Sequence, residues 1–199
     1  MSIERDLEFI YEMGALRFMD RSWKRFLNAD FANNTEHMYR VVWIALVLAK
    51  HEGVKDTAKI VKMAVAHDIA ESRTGDVDYL SRQYVDRKEH LALDDILAGT
   101  SVEAEFKELL REYETRESIE SRIVKDADNL DVDFELREQT ARGHDALGAS
   151  KQSMRAEVHA TKLYTETAKK IAKKIASSNP HAWHANSARN RFNGGDWKK

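Results

Sequence analysis

The sequence predicts an all-α protein with one domain. Its 199 residues include one proline and eight glycines, so the chain lacks the turn residues that an all-β fold needs. Apolar residues recur at intervals of three and four, which is the spacing of one helix face. A charged fraction of 33% beside 42% hydrophobic residues is typical of amphipathic helices around a single core. A chain of this length can bury such a core.

Three helices are predicted in the first part of the chain, at residues 2–19, 35–52 and 56–72. Residues 20–34 are polar and aromatic, and we expect them to wrap over other elements. Asn34 or Thr35 can cap the second helix, and Gly53 ends it. Asp56 is the expected cap of the third helix.

Four more helices are predicted further along, at residues 86–98, 102–114, 117–141 and 152–177. Residues 73–85 connect them to the first three, with a turn at Thr74-Gly75-Asp76. Gly99, Gly143 and Gly148 mark interruptions between the elements. The helical pattern therefore continues almost to the end of the chain.

Residues 1–177 are expected to form the domain, and residues 178–199 a C-terminal tail. The tail is rich in asparagine and contains the only proline. Trp183, Phe192 and Trp197 nevertheless favour docking of the tail onto the domain. No repeat or linker divides the chain.

Composition narrows the class of function. The chain has 32 basic and 34 acidic residues, so no overall positive field favours DNA, RNA or an acidic membrane. The absence of cysteine excludes disulfides, thiolate metal ligands and a cysteine nucleophile. The N-terminus lacks a signal-peptide core, and the longest apolar run, residues 41–49, is too short to span a bilayer. A cytoplasmic protein without a nucleic-acid polymer or membrane partner is expected.

Two predicted helices carry ionisable residues on faces that should be buried. His37 lies on the apolar stripe of the second helix. In the third helix the apolar face continues into His67, Asp68 and Glu71, and Asp76 follows the next turn. Because a buried carboxylate is unfavourable unless it is paired or bound to a metal, this cluster requires a partner.

A later helix offers acids that could complete a metal site. Its apolar stripe places Asp128 just outside the buried arc, and periodicity leaves Asp126, Asp131 and Asp133 as alternatives. Taken alone, a histidine on an apolar face is more often a hydrogen-bonded core residue, and an acidic run is more often a solvated surface. Their joint occurrence favours a metal site, because several independent structural explanations would otherwise all have to hold.

Other types of site fit poorly. The chain has no His-Glu-x-x-His motif and no Gly-x-x-x-x-Gly-Lys phosphate-binding loop. Residues 126–131 begin like a calcium-binding loop, but Leu130 and Asp131 stand where a ligand and the turn glycine should be. Metal-assisted hydrolysis therefore remains the favoured chemistry.

The order and spacing of these residues resemble the signature of the HD-domain metal-dependent phosphohydrolases, which are named for a His-Asp pair. The signature is matched by His37, by the pair His67-Asp68 and by Asp128. The closer resemblance is to the 5′-deoxynucleotidase branch. It rests on three strings, Glu36-His37, His67-Asp68-x-x-Glu71-x-x-x-Gly75-Asp76 and Lys125-Asp126-Ala127-Asp128-Asn129-Leu130-Asp131, within about residues 13–145.

This resemblance implies an all-α HD-domain fold with the metal site between helices, and it selects Asp128 as the last ligand. The complete ligand set is then His37, His67, Asp68 and Asp128. Mixed imidazole and carboxylate ligands suit one divalent transition metal, which could be Mn, Fe, Co, Ni or Zn.

The resemblance also implies roles for four further residues. Glu71 and Asp76 correspond to the acidic catalytic pair. Arg21 and Trp23 match best the residues that contact the nucleotide phosphate and sugar, although Ser22 separates them here and some relatives have the two adjacent. Many relatives are dimers, so a homodimer is expected.

The predicted function is release of phosphate from (deoxy)nucleoside 5′-monophosphates. Two alternatives remain open at this stage. One is an HD phosphohydrolase that acts on a triphosphate, a cyclic nucleotide or a pyrophosphate. The other is a non-catalytic helical protein that binds a metal or a nucleotide.

Overall fold

The structure, a computed structural model, describes residues 2–145, 148–185 and 187–192. The all-α prediction is confirmed: the described residues form helices and turns, with one isolated β-bridge between Asp20 and Asn33. The helices are α1 (Ile3–Ala15), α2 (Asn34–His51), α3 (Thr57–Ala66), α4 (Glu71–Thr74), α5 (Glu89–Leu97), α6 (Glu103–Thr115), α7 (Ile119–Ala141), α8 (Gly148–Thr161), α9 (Glu166–Ser177) and α10 (Ala182–Ala185). Among them, none is long and apolar enough to cross a membrane.

Two hydrophobic clusters form the core. The larger lies between α2, α3, α7 and α9, where Val41, Leu48 and Ile123 are fully buried. The smaller packs α5 and α6 against the turn that follows α3, and it includes Ile69 and Ile96. Helix α2 packs against both α3 and α7, so it is central to the larger cluster. The turn after α3 therefore lies where the two clusters meet.

The cap of α2 differs from the prediction by one residue. Asn33, rather than Asn34 or Thr35, accepts a hydrogen bond from the Glu36 backbone N–H, and the Glu36 side chain accepts one from the Asn33 backbone N–H, both at 3.0 Å. This reciprocal arrangement needs an acid three residues after the cap, and only Asn33 has one. Asn34 is thereby placed inside the helix, where it is fully buried.

The third predicted helix is shorter than expected. Asp56 caps it as predicted, by accepting from the Lys59 backbone N–H, but α3 ends at Ala66 and a turn separates it from α4. In a continuous helix, adjacent side chains would point about 100° apart. The break lets His67 and Asp68 turn toward the same centre. The prediction of one helix over residues 56–72 was therefore wrong in this respect.

The last predicted helix, residues 152–177, is divided into α8 and α9. Thr165 caps α9 by accepting from the Ala168 backbone N–H. Gly148, predicted as an interruption, is the first residue of α8. In the tail, Trp183 and Phe192 are 70% and 55% exposed. Trp197 lies outside the described residues, so docking of the tail stays a prediction.

Candidate metal centre

Three separate segments bring the four predicted ligands together. His37 projects from the first turns of α2, Asp128 from the middle of α7, and His67 and Asp68 from the turn after α3. One ligand atom from each of the four lies within 4.8 Å of all the others. The His37 Nε2 atom is 3.4 Å from both Asp68 Oδ2 and Asp128 Oδ1, and 3.3 Å from His67 Nε2. Ligand atoms about 2.1 Å from one cation lie at similar mutual distances.

The hydrogen bonds around the two imidazoles show what the cluster can hold. His67 Nδ1 lies 2.8 Å from the Ala64 carbonyl oxygen, and His37 Nδ1 lies 2.6 Å from Asp131 Oδ2. Each partner accepts, so each neutral imidazole carries its proton on Nδ1 and presents a lone pair at Nε2. Two lone pairs and two carboxylate oxygens then face one another. Such a set of acceptors fits a divalent cation, and the outer hydrogen bonds orient the rings as metal sites require.

The electrostatics of the cluster favour positive charge at its centre. Burial opposes protonation of His37, yet hydrogen bonds to the surrounding carboxylates hold its pKa well above the ordinary value. Burial would also raise the pKa of Asp68, but the charge of His67 and a hydrogen bond from His37 hold it well below the usual range. The positive charge of Lys125 likewise holds the pKa of Asp128 well below the usual range, although burial would raise it. A bound divalent cation would supply this charge.

The three alternative acids of α7 have structural contacts that distinguish them from Asp128. Asp126 accepts hydrogen bonds from the backbone N–H groups of Tyr164 and Thr165, at 2.7 and 2.8 Å, and so fixes the start of α9. Asp133 accepts from both Arg155 and His159. Asp131 contacts His37 from behind, on the side away from the cluster.

Asp131 belongs to a network that the sequence did not reveal. Its second oxygen accepts from Arg40 Nε at 2.5 Å, and the same guanidinium donates to Glu135 and Glu138 at 2.6 and 2.7 Å. Arg40 follows His37 by one turn of α2. The network therefore locks the imidazole to α7 through a carboxylate that is itself held by an arginine.

Glu71 and Asp76 both lie at the edge of the cluster. Glu71 is only 4% exposed, and its carboxylate accepts from Asn34 Nδ2 at 2.6 Å and from Arg87 Nη1 at 3.2 Å. Burial and the charges of Asp68 and Asp76 raise its pKa to about 8. This carboxyl group can therefore exchange a proton near neutral pH.

Asp76 holds the segment that carries Arg21. Its Oδ2 atom accepts from the Ser22 backbone N–H at 2.8 Å and lies 3.5 Å from Arg21 Nε. Arg21 Nη1 is 3.3 Å from Asp68 Oδ2, so this guanidinium contacts two carboxylates of the site. Trp23 lies further out. Its ring packs against the ring of Tyr79, with centroids 6.2 Å apart, and it lines a smaller neighbouring cavity.

Three of the ligand candidates, His67, Asp68 and Asp128, border a cavity of about 390 Å³, and His37 lies buried behind them. Its wall includes Arg21, Glu71 and Asp76, together with basic residues that the sequence did not single out, namely Arg82, Arg87, Arg116 and Lys125. Lys125 precedes Asp128 by one helical turn, and that spacing could have revealed it. Arg87 and Arg116 lie outside the helices and Arg82 lies in a three-residue 3₁₀ turn, so no periodicity predicts the direction of their side chains.

Known proteins that resemble this chain show the family to which it belongs. The family model described as "HD domain" matches residues 13–178. The chain belongs to the HD-domain family. This HD-domain protein is 30% identical over 138 residues to 5′-deoxynucleotidase HDDC2 of Homo sapiens, which covers 66% of the chain and 67% of the relative. It is 33% identical over 106 residues to 5′-deoxynucleotidase hdd1 of Schizosaccharomyces pombe, which covers 49% of the chain and 52% of the relative.

Solved structures of the same fold agree with this placement. A conserved hypothetical protein from Pyrococcus furiosus superposes with a TM-score of 0.72 at 26% identity, over 86% of this HD-domain protein and 99% of that one. A predicted metal-dependent phosphohydrolase from Magnetospirillum magnetotacticum has a TM-score of 0.70, over 88% and 91% of the two chains; at 18% identity it supports the fold alone. The prediction of an HD-domain metal-dependent phosphohydrolase, closest to the 5′-deoxynucleotidases, is confirmed by the family and its curated relatives.

Proposed function

We propose that the protein releases phosphate from (deoxy)nucleoside 5′-monophosphates with the help of one divalent transition metal. His37, His67, Asp68 and Asp128 are the proposed ligands. The observation that carries the proposal is the convergence of one ligand atom from each of these four side chains within 4.8 Å, beside a cavity lined by basic side chains. A divalent cation suits the four ligand atoms, and a phosphate suits the basic side chains of the cavity.

A divalent cation held by these four residues would lower the pKa of a bound water toward about 7 and polarise a phosphoryl oxygen. Imidazole and carboxylate ligands without thiolates suit Mn, Fe, Co, Ni or Zn. The protein contributes the orientation of both imidazoles through Ala64 and Asp131. It also contributes a buried setting in which fixed charges interact strongly.

Glu71 is the proposed proton acceptor for the attacking water. Burial and the neighbouring carboxylates raise its pKa to about 8, so its deprotonated form is a stronger base than an ordinary glutamate. Asn34 donates to one carboxylate oxygen and Arg87 to the other, which fixes the plane of the group.

Asp76, Arg21 and Trp23 are assigned to the substrate. Arg21 offers a planar guanidinium that suits phosphate oxygens, and Asp76 Oδ2, 3.5 Å from its Nε, holds it in place. Asp76 is also the proposed donor of a proton to the ribose oxygen or the anchor of the sugar. Trp23, in the neighbouring cavity that shares Arg21 and Asp76, is placed for the sugar and base rather than the phosphate.

We further propose a homodimer in the cytoplasm. Helix α1 supports the dimer, because it has an exposed apolar face formed by Ile3, Leu7 and Ile10. An exposed patch of this kind is often covered by another protein surface. Light scattering after size-exclusion chromatography would test the dimer, and a monomeric mass would refute it.

A phosphate-release screen tests the proposed activity. Nucleoside and deoxynucleoside mono-, di- and triphosphates are each supplied with Mn, Co, Ni, Zn or Mg, and the Glu71→Gln variant serves as the control for contaminating phosphatases. We expect release from monophosphates only, and release from the variant that is slower by about 100-fold or more. Release of pyrophosphate or triphosphate would assign another nucleotide substrate. No release from any nucleotide would favour a non-catalytic binding protein.

A further inference from the structure

Arg116 ends α6 in a backbone conformation that arginine rarely adopts. Its φ of 56° and ψ of 25° are left-handed, and among the described residues it is the only one other than glycine with a positive φ. Glycine or asparagine usually occupies this position after a helix. Residues held in unfavourable backbone conformations are concentrated at functional sites, which makes the contacts of this side chain informative.

The Arg116 side chain is held beside the metal cluster by one aromatic ring. Its Cζ atom lies 3.5 Å from the centre of the Tyr113 ring. The same ring meets His67 edge to face, with centroids 5.8 Å apart. Arg116 also lines the cavity that Asp68 and Asp128 border. The Tyr113 ring therefore lies between the Arg116 guanidinium and His67, which is a proposed metal ligand.

Three other cations that line this cavity already have carboxylate partners. Arg21, Arg87 and Lys125 form ion pairs with Asp68, Glu71 and Asp128, respectively. In contrast, the buried Nη1 of Arg116 has no hydrogen-bond partner within the described ranges. A buried donor without an acceptor is unfavourable, and an anionic oxygen in the cavity would satisfy it.

We propose that Arg116 binds the phosphoryl group of the substrate through this guanidinium nitrogen. The proposal rests on the proposed phosphohydrolase function and adds to it a residue that recognises the anion. Arg21 donates a hydrogen bond to Asp68 and forms an ion pair with Asp76, whereas Arg116 keeps a donor for a ligand. Tyr113 acts as a positioning residue, because its ring fixes the plane of the guanidinium.

Replacement of Arg116 by glycine separates a binding role from a structural one. Glycine removes the guanidinium but relieves the left-handed backbone, so the melting temperature should stay equal or rise. Binding of inorganic phosphate to the metal-loaded protein, measured by calorimetry, should weaken by roughly 10- to 100-fold, and so should kcat/KM for a deoxynucleoside monophosphate. Arg116→Gln should show the same loss, and the metal content of both variants should match the parent. Arg111→Gln, at an exposed arginine of α6, is the control and should change nothing.

Two outcomes would overturn the assignment. Phosphate affinity that survives Arg116→Gly shows that the guanidinium does not hold the anion. A lower melting temperature with intact phosphate affinity assigns Arg116 a purely structural role. Absence of turnover in the unmodified protein would remove the proposed function instead, because the calorimetric titration with inorganic phosphate would still decide the role of Arg116.

Discussion

The metal cluster is built from two kinds of local structure. His37 and Asp128 project from α2 and α7, two long helices that pack against each other without interruption. His67, Asp68 and Glu71 lie where the chain leaves α3 and begins α4. Adjacent residues of a regular helix point about 100° apart, whereas His67 and Asp68 reach the same cluster from the turn after α3. The comparison shows that this site combines rigid helical support with a local irregularity.

The two regions are also stabilised differently. The imidazole on α2 is held by a carboxylate of α7, within a network that includes Arg40, Glu135 and Glu138. The imidazole in the turn is held by the backbone carbonyl of Ala64. Side-chain substitutions can therefore disturb the support of His37 but not that of His67, which makes the comparison testable.

The largest effect is expected from a substitution in the first region, where the ligands project from long helices. His37→Gln removes one of four ligands, and we expect turnover to fall by about 10⁴-fold or more, because the bound cation supplies several kcal/mol of transition-state stabilisation. Metal analysis of the purified variant should show a matching loss. His51→Gln, at an exposed histidine that ends the same helix, should retain both. A His37 variant with full metal content would refute the ligand assignment.

A substitution in the second region, where α3 gives way to α4, should separate catalysis from metal binding. Glu71→Gln removes the proposed proton acceptor and should lower kcat by about 10²- to 10⁴-fold. Metal content should not change, because Glu71 is not among the ligands. Glu108→Gln, an exposed substitution on α6, should be neutral. If the Glu71 variant keeps its activity, another residue must accept the proton.

A pair of matched substitutions on α7 tests the support of His37. Asp131→Asn weakens the charged hydrogen bond to the imidazole, and we expect metal affinity to fall by about 10- to 100-fold. Asp133→Asn makes the same change two residues later, where the carboxylate contacts Arg155 and His159 instead. Competitive chelation should distinguish the two variants. Equal metal affinities would show that the network does not position the ligand.

The smallest expected effect concerns an acid of α7 that lies away from the cluster. Asp126→Ala removes the acceptor for the backbone N–H groups of Tyr164 and Thr165. The free energy of unfolding should fall by about 1–2 kcal/mol, as measured by urea denaturation, because the start of α9 loses its hydrogen bonds. Metal affinity should remain unchanged. Glu157→Ala, at an exposed position of α8, provides the comparison for a surface substitution.

Much of the fold was predictable because helical periodicity is a local property. The positions of α2 and α7 followed from their apolar stripes, and the burial of His37 followed from its place on one of them. The sequence pattern does not predict that residues 152–177 divide into α8 and α9, because the start of α9 is fixed by Asp126, which is distant in sequence. The break after Ala66 was missed because the ionisable residues continued the spacing of the buried face.

The site was predictable where a motif carried it. The pattern of the four ligand candidates selected residues that the structure places within 4.8 Å of one another. Asp131 could not be separated from Asp128 by periodicity, since both border the same apolar stripe. Arg87 and Arg116 were not anticipated at all, because their side chains reach the cavity from connections whose course depends on tertiary packing.

The small antiparallel pairing of Asp20 with Asn33 has a consequence for how substrate preference can diverge. It closes the base of the segment that carries Arg21 and Trp23, directly before the capped start of α2. A loop anchored at its stem tolerates replacement of its tip without disturbing the scaffold beneath. Exchanging residues 23–26 between relatives, which leaves the buried Phe31 and the Asn28–Gln139 hydrogen bond in place, would test the proposed role of Trp23 in substrate preference.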